Sequence, residues 1–538
     1  MKHAPVLIVG AGPVGLATAL SLTQSGIAVR IIDRLAEPTN QSRAAVVHAR
    51  TLEMFERLGI ASEFVDIGVR VHGAAVYGPN KTLLTRPSLD HLPTHYPFML
   101  GIDQATTERL LRERLSALGV EVERPVEFIG LAQSASAVTV RLRSGTDAPR
   151  IEEFSYVVGA DGARGTVRGA LGLKLEGETL DATWITADVK IRWDRDPDEA
   201  VAFLSPEGLA FIAPMNGDRW RVIVNLHKLS KAEGEAITLE DVQTIVRDRL
   251  GVQAPLYDPV WISPFNINTR MTPTMKVGRV FLAGDAAHVH SPVGGQGMNT
   301  GIQDGLNLAW KLAAVLKGQS GEPLLESYNA ERHANARALL QKVGPMTKMV
   351  NLRQPVAVEL RNMVIRVVGQ LGFGATLARD FSMLGVGYPN SPAVEDHRAS
   401  WLDRGPRAGE RAPDAEDLLF GDDTPRRLFE LWTGDSRHQL LLFSGRKPKA
   451  EQLAELAGIA AEFGGLEGFL RVLLITNEGF VPGCAVDPDG IAHDAYGAEG
   501  PLLFLVRPDG YIGFRAPLAD REALRRYLAN WFPGVVPV

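Results

Sequence analysis

The sequence predicts an α/β protein in which a parallel-sheet, dinucleotide-binding domain is interrupted by an antiparallel sheet and followed by a second, smaller α/β domain. Three observations predict it. Near the N-terminus a buried strand, a glycine loop, an apolar helix, a second buried strand and an acid follow one another without interruption. Past the midpoint another strand ends in a Gly-Asp pair and leads into a second glycine-rich helix start. Beyond about Arg411, apolar strand-like runs and a helix alternate again.

At 538 residues the chain exceeds a single core, and about 150 residues per domain gives roughly three domains or more. We expect the nucleotide-binding domain in two pieces, residues 1–180 and 271–395, the second carrying a helical segment. The inserted sheet is expected at 181–270 and the last domain at 405–538. The composition, 45% hydrophobic and 22% charged, is that of a globular protein. A net charge of -6 without any lysine-arginine cluster gives no reason to expect nucleic acid or a membrane as partner. The single cysteine, Cys484, excludes an internal disulfide framework and a Cys-rich metal site, and suits the cytoplasm. Lys2 and the apolar run Val6 to Leu22 imitate a targeting segment, but Gly10, Gly12, Pro13 and Gly15 break that run.

The elements follow in order. Pro5 to Val9 reads as a buried strand and Gly10-Ala11-Gly12-Pro13-Val14-Gly15 as a G-x-G-x-x-G loop opening the helix Leu16 to Gln24. Ala28 to Ile32 is the next strand, ending at Asp33. Glycines let the backbone approach a pyrophosphate, the helix start receives it, and the acid takes ribose hydroxyls. Thr183 to Leu226 alternates polar with apolar residues between the turns Pro206-Glu207-Gly208 and Asn216-Gly217-Asp218, as an antiparallel sheet does. Its inner face is expected to supply pocket walls from Phe203, Phe211, Met215, Val224 and Phe265. Arg279 to Ala283 is a strand ending at Gly284-Asp285, and a glycine-rich stretch leads into a helix from Thr300 to Leu316. Helical patterns continue over Glu326 to Val343 and Met346 to Leu384. Asn390 to Pro392 and Asp403 to Pro413 read as boundary and linker. In the last domain the strands Gln439 to Phe443 and Phe469 to Ile475 flank the helix Glu451 to Phe463, and Arg507-Pro508-Asp509-Gly510 is a hairpin turn. A final helix carries Leu524, Tyr527, Leu528 and Trp531 on one face.

The glycine loop by itself serves NAD or FAD equally. Val157 to Arg164, with Asp161-Gly162 at its centre and Arg168 beyond it, resembles the DG motif of class A flavoprotein aromatic hydroxylases. Gly278 to His288 resembles their GD motif, and the motifs stand in the family's order over roughly the first 390 residues. The resemblance implies a Rossmann-like FAD-binding domain of the glutathione-reductase-2, p-hydroxybenzoate-hydroxylase type with an inserted substrate sheet. It implies that Gly10, Gly12, Pro13, Val14, Gly15, Asp33 and Arg34 hold the adenosine and pyrophosphate end, with Arg43 and Gln104 at the phosphates and ribityl chain. Asp161, Gly284 and Asp285 then belong to the middle of FAD, and Pro292, Gly297, Met298 and Asn299 to the ring, Pro292 also bordering the substrate. The family often has a serine where this chain has Gly165. The C-terminal domain resembles the thioredoxin-like domain of the phenol hydroxylase branch, yet it has no C-x-x-C, which leaves a structural or dimerising role.

The chemistry implied is hydroxylation of an aromatic, phenolic or polyketide-like substrate with O2, through a flavin C4a-hydroperoxide. NADPH or NADH serves as transient reductant, since no second glycine fingerprint follows a buried strand. His48, in a His-Ala-Arg segment similar to those of phenol hydroxylases, is the candidate general base. His288 and His290 beside Asp285 belong to the flavin motif, so no metal is expected. A homodimer is an admissible assembly. Competing readings are Baeyer–Villiger oxygenation on the same scaffold and, from another class, a flavin-free binding protein, which would have no need of the Gly-Asp pair. The absence of a Trp-x-Trp motif disfavours a flavin halogenase.

Overall fold

The computed structural model describes residues 3–39, 42, 44–205, 208–226, 236–250, 254–291, 294–350, 352, 354–370, 374–398, 403–421, 424–477 and 484–535, and the statements below concern these. At its centre the strand Val6–Val9, buried throughout, pairs in parallel with Val29–Ile32 on one side and Tyr156–Gly159 on the other. Tyr156–Gly159 pairs in parallel with Val280–Leu282, within a six-stranded sheet completed by Lys276–Val277 and Val122–Glu123. Burial on both faces is why these strands read as unbroken apolar runs. Because the strands are parallel, the glycine loop, the Asp161-Gly162 turn and Gly284-Asp285 all leave the same edge of the sheet. That edge is where open α/β sheets bind ligands.

Two helices meet behind this edge. Pro13–Gln24 packs on Gly297–Leu316 through small residues. A Cβ on Gly301 would stand 2.6 Å from Val14 and 2.9 Å from the Gly284 backbone; one on Gly305 would stand 2.1 Å from the Thr18 hydroxyl. Glycines at 301 and 305 thus set the helix separation and bring the two helix starts to one site.

The second sheet has eight strands, in the order His288–Val289, Leu256–Met271, Glu176–Ile191, Arg219–Leu226, Gly208–Met215, Glu199–Ser205, Gly73–Tyr77 and Leu83–Thr85. It takes in two strands from early in the chain, because Glu199–Ser205 pairs in parallel with Gly73–Tyr77. A parallel partner that distant leaves no local signal in sequence. Asn216-Gly217-Asp218 forms the expected turn, with φ of +71° at Gly217 and +57° at Asp218. Pro206 and Glu207 of the other expected turn lie outside the described residues. His288–Val289 pairs with Arg270 and Met271, so the chain passes from the Gly-Asp turn directly into this sheet.

Helices follow at Glu322–Val350, Pro355–Gln370 and Gly374–Phe381. The expected linker is docked: Gly409 N donates to Ile512 O at 2.7 Å, Tyr388 N to Gly409 O at 2.7 Å, and Ser391 Oγ to buried Glu331 at 2.6 Å. The C-terminal sheet runs Glu395–Asp396, Ile512–Pro517, Leu502–Val506, His438–Phe443, Leu470–Thr476 and Cys484–Val486. Its centre pairs in parallel between His438–Phe443 and Leu470–Thr476 and antiparallel between His438–Phe443 and Leu502–Val506, the arrangement of a thioredoxin-like domain.

Candidate active site

The glycine loop is built for close approach. A Cβ on Gly15 would lie 1.9 Å from Gly10 O, and Gly10, at φ +104°, would drive one to 2.4 Å from Ala160 O. A Cβ on Gly12 meets nothing nearer than Glu108 Oε1 at 4.0 Å, so this face of the loop is an open cradle. No side chain caps the helix beginning at Pro13, which leaves its positive end for an anionic ligand. Val14 packs instead against Gly301 and Gly284. Asp33 holds the loop, accepting from Ala11 N at 2.9 Å and Leu35 N at 2.9 Å and pairing with Arg124 at 3.1 Å. Arg34 is exposed. Gln104 begins the helix Gln104–Ala117 and binds the neighbouring segment, its Oε1 accepting from Ala44 N at 3.2 Å. Arg43 falls outside the described residues, as does Pro292.

Asp161 is committed to the chain: its Oδ2 accepts from Thr166 N at 2.6 Å and Val167 N at 3.0 Å, capping the helix Thr166–Ala170. A Cβ on Gly165 would stand 2.3 Å from Asp161 Oδ1, which explains glycine where the family often carries serine. Arg168 ties the two turns together, donating to Ala286 O at 2.9 Å and Ala163 O at 2.6 Å. Gly284 adopts φ +60° and its N–H donates to Asp304 Oδ2 at 3.0 Å. The adjacent Asp285 is exposed at the strand end. His288 is held by Asp304 at 2.7 Å and Asp304 by Arg332 at 2.7 Å, all three buried. Among the described residues no group of three or more His, Cys, Asp or Glu side chains is placed to hold a metal ion.

At the second helix start, Gly297–Leu316 also begins without a side-chain cap. Met298 packs against the main core, and Asn299, fully buried, stitches three pieces together. Its Oδ1 accepts from His48 N at 2.9 Å while Nδ2 donates to Val46 O at 2.9 Å and Gly295 O at 3.0 Å. His48 itself is 0% exposed, with Nε2 2.8 Å from Gly294 O. Among the described residues its Nδ1 finds no hydrogen-bond partner. Burial lowers its pKa to about 4, outweighing the raising effect of the Gly294 and Gly295 carbonyls. The histidine is therefore neutral, and the carbonyl contact requires the proton on Nε2, leaving Nδ1 as a bare acceptor.

The eight-stranded sheet separates the expected pocket walls. Phe211 pairs with Ile223, and Trp184 with Phe265, on the face that also carries Arg221, whose Nη2 reaches Ser42 O at 2.9 Å. Phe211, Phe265 and Met215 thus stand on the face turned toward the nucleotide-binding domain. Phe203 and Val224 point the other way, into the core under the helix Leu239–Leu250 with Val242 and Val246. They are core residues rather than pocket walls, because strand alternation puts neighbours on opposite faces. The inner face also holds a buried Arg221–Asp188 ion pair that the sequence reading did not single out.

Two helix starts without side-chain caps, an open backbone cradle at Gly12 and the exposed Asp285 at its strand end fit a dinucleotide stretched along the carboxyl ends of the parallel strands. These features define a dinucleotide-binding protein. Comparisons give the particular family. Residues 3–343 match the FAD binding domain family and residues 405–534 the aromatic-ring hydroxylase C-terminal family. The chain is 36% identical over 529 residues to 6-methylpretetramide 4-monooxygenase of Streptomyces rimosus, covering 96% of this chain and 92% of that one. It is 32% identical to pentachlorophenol 4-monooxygenase of Sphingobium chlorophenolicum, covering 97% and 95%. Among solved structures it resembles an anhydrotetracycline hydroxylase from Streptomyces rimosus, with TM-score 0.77, 28% identity and coverage of 98% and 99%. An aklavinone-11 hydroxylase solved with FAD and aklavinone gives TM-score 0.76 at 25% identity, covering 98% and 99%. The chain belongs to the FAD-dependent aromatic-ring hydroxylases, and it is a flavoprotein monooxygenase.

Proposed function

We propose that this enzyme hydroxylates a phenolic, polycyclic aromatic substrate of polyketide type with O2 and a transiently bound NADPH or NADH. The observation that carries the reading is the apolar sheet face bearing Trp184, Phe211, Phe265 and Met215, the face from which Arg221 reaches Ser42 of the nucleotide-binding domain. Relatives matched over nearly the whole chain act, by their names, on 6-methylpretetramide and on pentachlorophenol. FAD, when bound, activates oxygen and delivers one oxygen atom to an electron-rich ring.

The residues of the chain bind and orient. The Gly10–Gly15 backbone and the Pro13 helix start take the pyrophosphate, and Asp33 takes the adenosine ribose through its loop. Asp285, exposed at its strand end, takes the ribityl hydroxyls. The Gly297 to Asn299 N–H groups face the ring end, where the helix dipole favours negative charge. The geometry of His48 supports a positioning role over the general base expected from sequence. A histidine whose pKa burial lowers to about 4 accepts a phenol proton poorly, whereas its Nε2–Gly294 contact fixes the loop before the helix. For assembly we propose a homodimer across the helix Pro355–Gln370, whose outer face exposes Val356, Leu360, Met363 and Val367 at heptad spacing beside Glu359 and Arg366. The buried single thiol Cys484 suits a cytoplasmic location.

The test is NADPH or NADH oxidation by the purified protein with a panel of phenols, naphthols and ketones. Stimulation by the hydroxyarenes with formation of a hydroxylated product is expected; stimulation by ketones with ester formation would turn the reading to Baeyer–Villiger chemistry. Light scattering after gel filtration tests the dimer, which Val356→Glu with Leu360→Glu should reduce to monomer.

A further inference from the structure

The C-terminal domain has one buried thiol and no dithiol, so whatever it contributes comes from contacts. Those contacts converge on the helix Ala49–Arg57, in which every residue is buried. Arg50 donates through Nη2 to Asp509 O at 2.8 Å and lies 4.5 Å from the centre of the Tyr511 ring. Glu53 accepts from Arg50 at 2.8 Å and from Arg411 Nε at 2.9 and 3.1 Å. Glu56 pairs with Arg427, and Arg57 O accepts from Gly434 N at 2.8 Å. This helix begins immediately after His48, the residue that holds Gly294 and Asn299.

A second arm reaches the other helix at the site. Arg507 grips Glu331 through both terminal nitrogens, at 2.8 and 2.9 Å. Glu331 also accepts from Lys311 at 2.8 Å and Asn307 at 2.7 Å, both on the Gly297 helix, and Asn307 donates onward to Asp509 at 3.0 Å. Arg507, Glu331, Lys311 and Asp509 have side chains at most 1% exposed. An apolar interface would hold two domains together without the desolvation cost of buried ions. Bidentate pairs add fixed geometry, which an apolar contact does not.

We propose that the C-terminal domain is a positioning clamp for the ring end of the flavin site, acting through Arg411 on Glu53 and the Ala49 helix, and through Arg507 on Glu331 and the Gly297 helix. The proposal rests on reading Gly294 to Asn299 as that ring end. Arg411 is the positioning residue to test, because it lies outside both helices and, among the described residues, its side chain hydrogen-bonds the Ala49 helix at Glu53 and, elsewhere, Pro93 O at 2.7 Å. The probe is FAD itself, titrated into the full-length apoprotein of wild type, Arg411→Met and Arg411→Lys. Flavin fluorescence and visible circular dichroism are read beside far-ultraviolet circular dichroism.

In Arg411→Met the FAD dissociation constant should rise at least about fivefold, the lower end for coupled sites, with an altered visible dichroism and unchanged secondary structure. Arg411→Lys, which keeps the charge and loses the fork, should fall between Met and wild type. Wild-type affinity and dichroism in Arg411→Met, with only a lower melting temperature, would reduce the contact to packing and overturn the proposal. If Arg411→Met does not fold, wild-type FAD affinity in Arg411→Lys overturns it equally. A wild-type protein that takes up no FAD would instead sink the flavin reading itself.

Discussion

The two ends of the cofactor groove are built differently. The loop Gly10–Gly15 is made from backbone: its shape follows from Gly10 and Gly15, where a Cβ would clash, and the side chain that anchors Ala11, Asp33, lies only 22 residues away. The segment proposed for the ring end, Gly294 to Asn299, is held by groups from far away in sequence. His48 is bonded to a residue 251 positions on, and the Arg507–Glu331 pair that braces the helix spans 176 positions. A local device tolerates change elsewhere, while an assembled one depends on the whole chain.

That contrast can be broken first at the backbone end. Gly15→Ala, which places a methyl 1.9 Å from Gly10 O, should abolish FAD binding within measurable range, read by flavin fluorescence titration. Weak but measurable binding would show that the loop can relax. Next in size, Phe203→Ala should destabilise the sheet by about 3–5 kcal/mol in denaturant melts, as a buried aromatic in a packed core does. Phe211→Ala, on the inner face, should instead change KM and the ratio of product to NADPH consumed, with less loss of stability.

Gly301→Ala should cost about 1–3 kcal/mol and weaken FAD binding together, because its methyl would meet Val14 at 2.6 Å and the Gly284 backbone at 2.9 Å. A stability loss without a binding loss would separate the helix contact from the site. The smallest effect is in pH. Burial lowers His48 and His290 to about 4 and His438 to about 3. The unfolded chain takes up protons at these positions from about pH 6.5, so it binds more protons than the fold below that value. Stability should therefore be full above pH 7 and fall as pH drops from about 6.5 toward 4. In His48→Asn the acid-side slope of melting temperature against pH should be shallower, and no kinetic ionisation near 6.5 should disappear with the histidine.

How much of this was legible in the sequence follows the same division. The glycine loop, the strands around it and the hairpin turn at Arg507 to Gly510 are local patterns, and all were read from residues next to one another. The helix Ala49–Arg57 carries polar and apolar residues at helical spacing, and what its sequence conceals is that the charged face with Arg50, Glu53 and Glu56 is buried against the last domain. The strands Gly73–Tyr77 and Leu83–Thr85 are short, and Gly73–Tyr77 pairs in parallel with a strand 126 positions further on, Gly73 with Glu199. Phe203 and Val224 were assigned to the wrong face because alternation fixes two faces without saying which is inward. The buried charges on Glu331 and Arg507 look like ordinary surface residues until the last domain folds against them.

One FAD between the Pro13 and Gly297 helix starts, with its oxygen chemistry directed at an aromatic ring, is what joins the two halves of the proposed site. The most direct measurement uses the purified full-length protein with NADPH, a polycyclic phenol and isotopically labelled dioxygen, following flavin content and the label in the product. Stoichiometric FAD released on denaturation, its absence from Gly15→Ala, and one labelled oxygen in the hydroxylated ring are expected. Protein without flavin, or a product whose new oxygen comes from water, would contradict this reading.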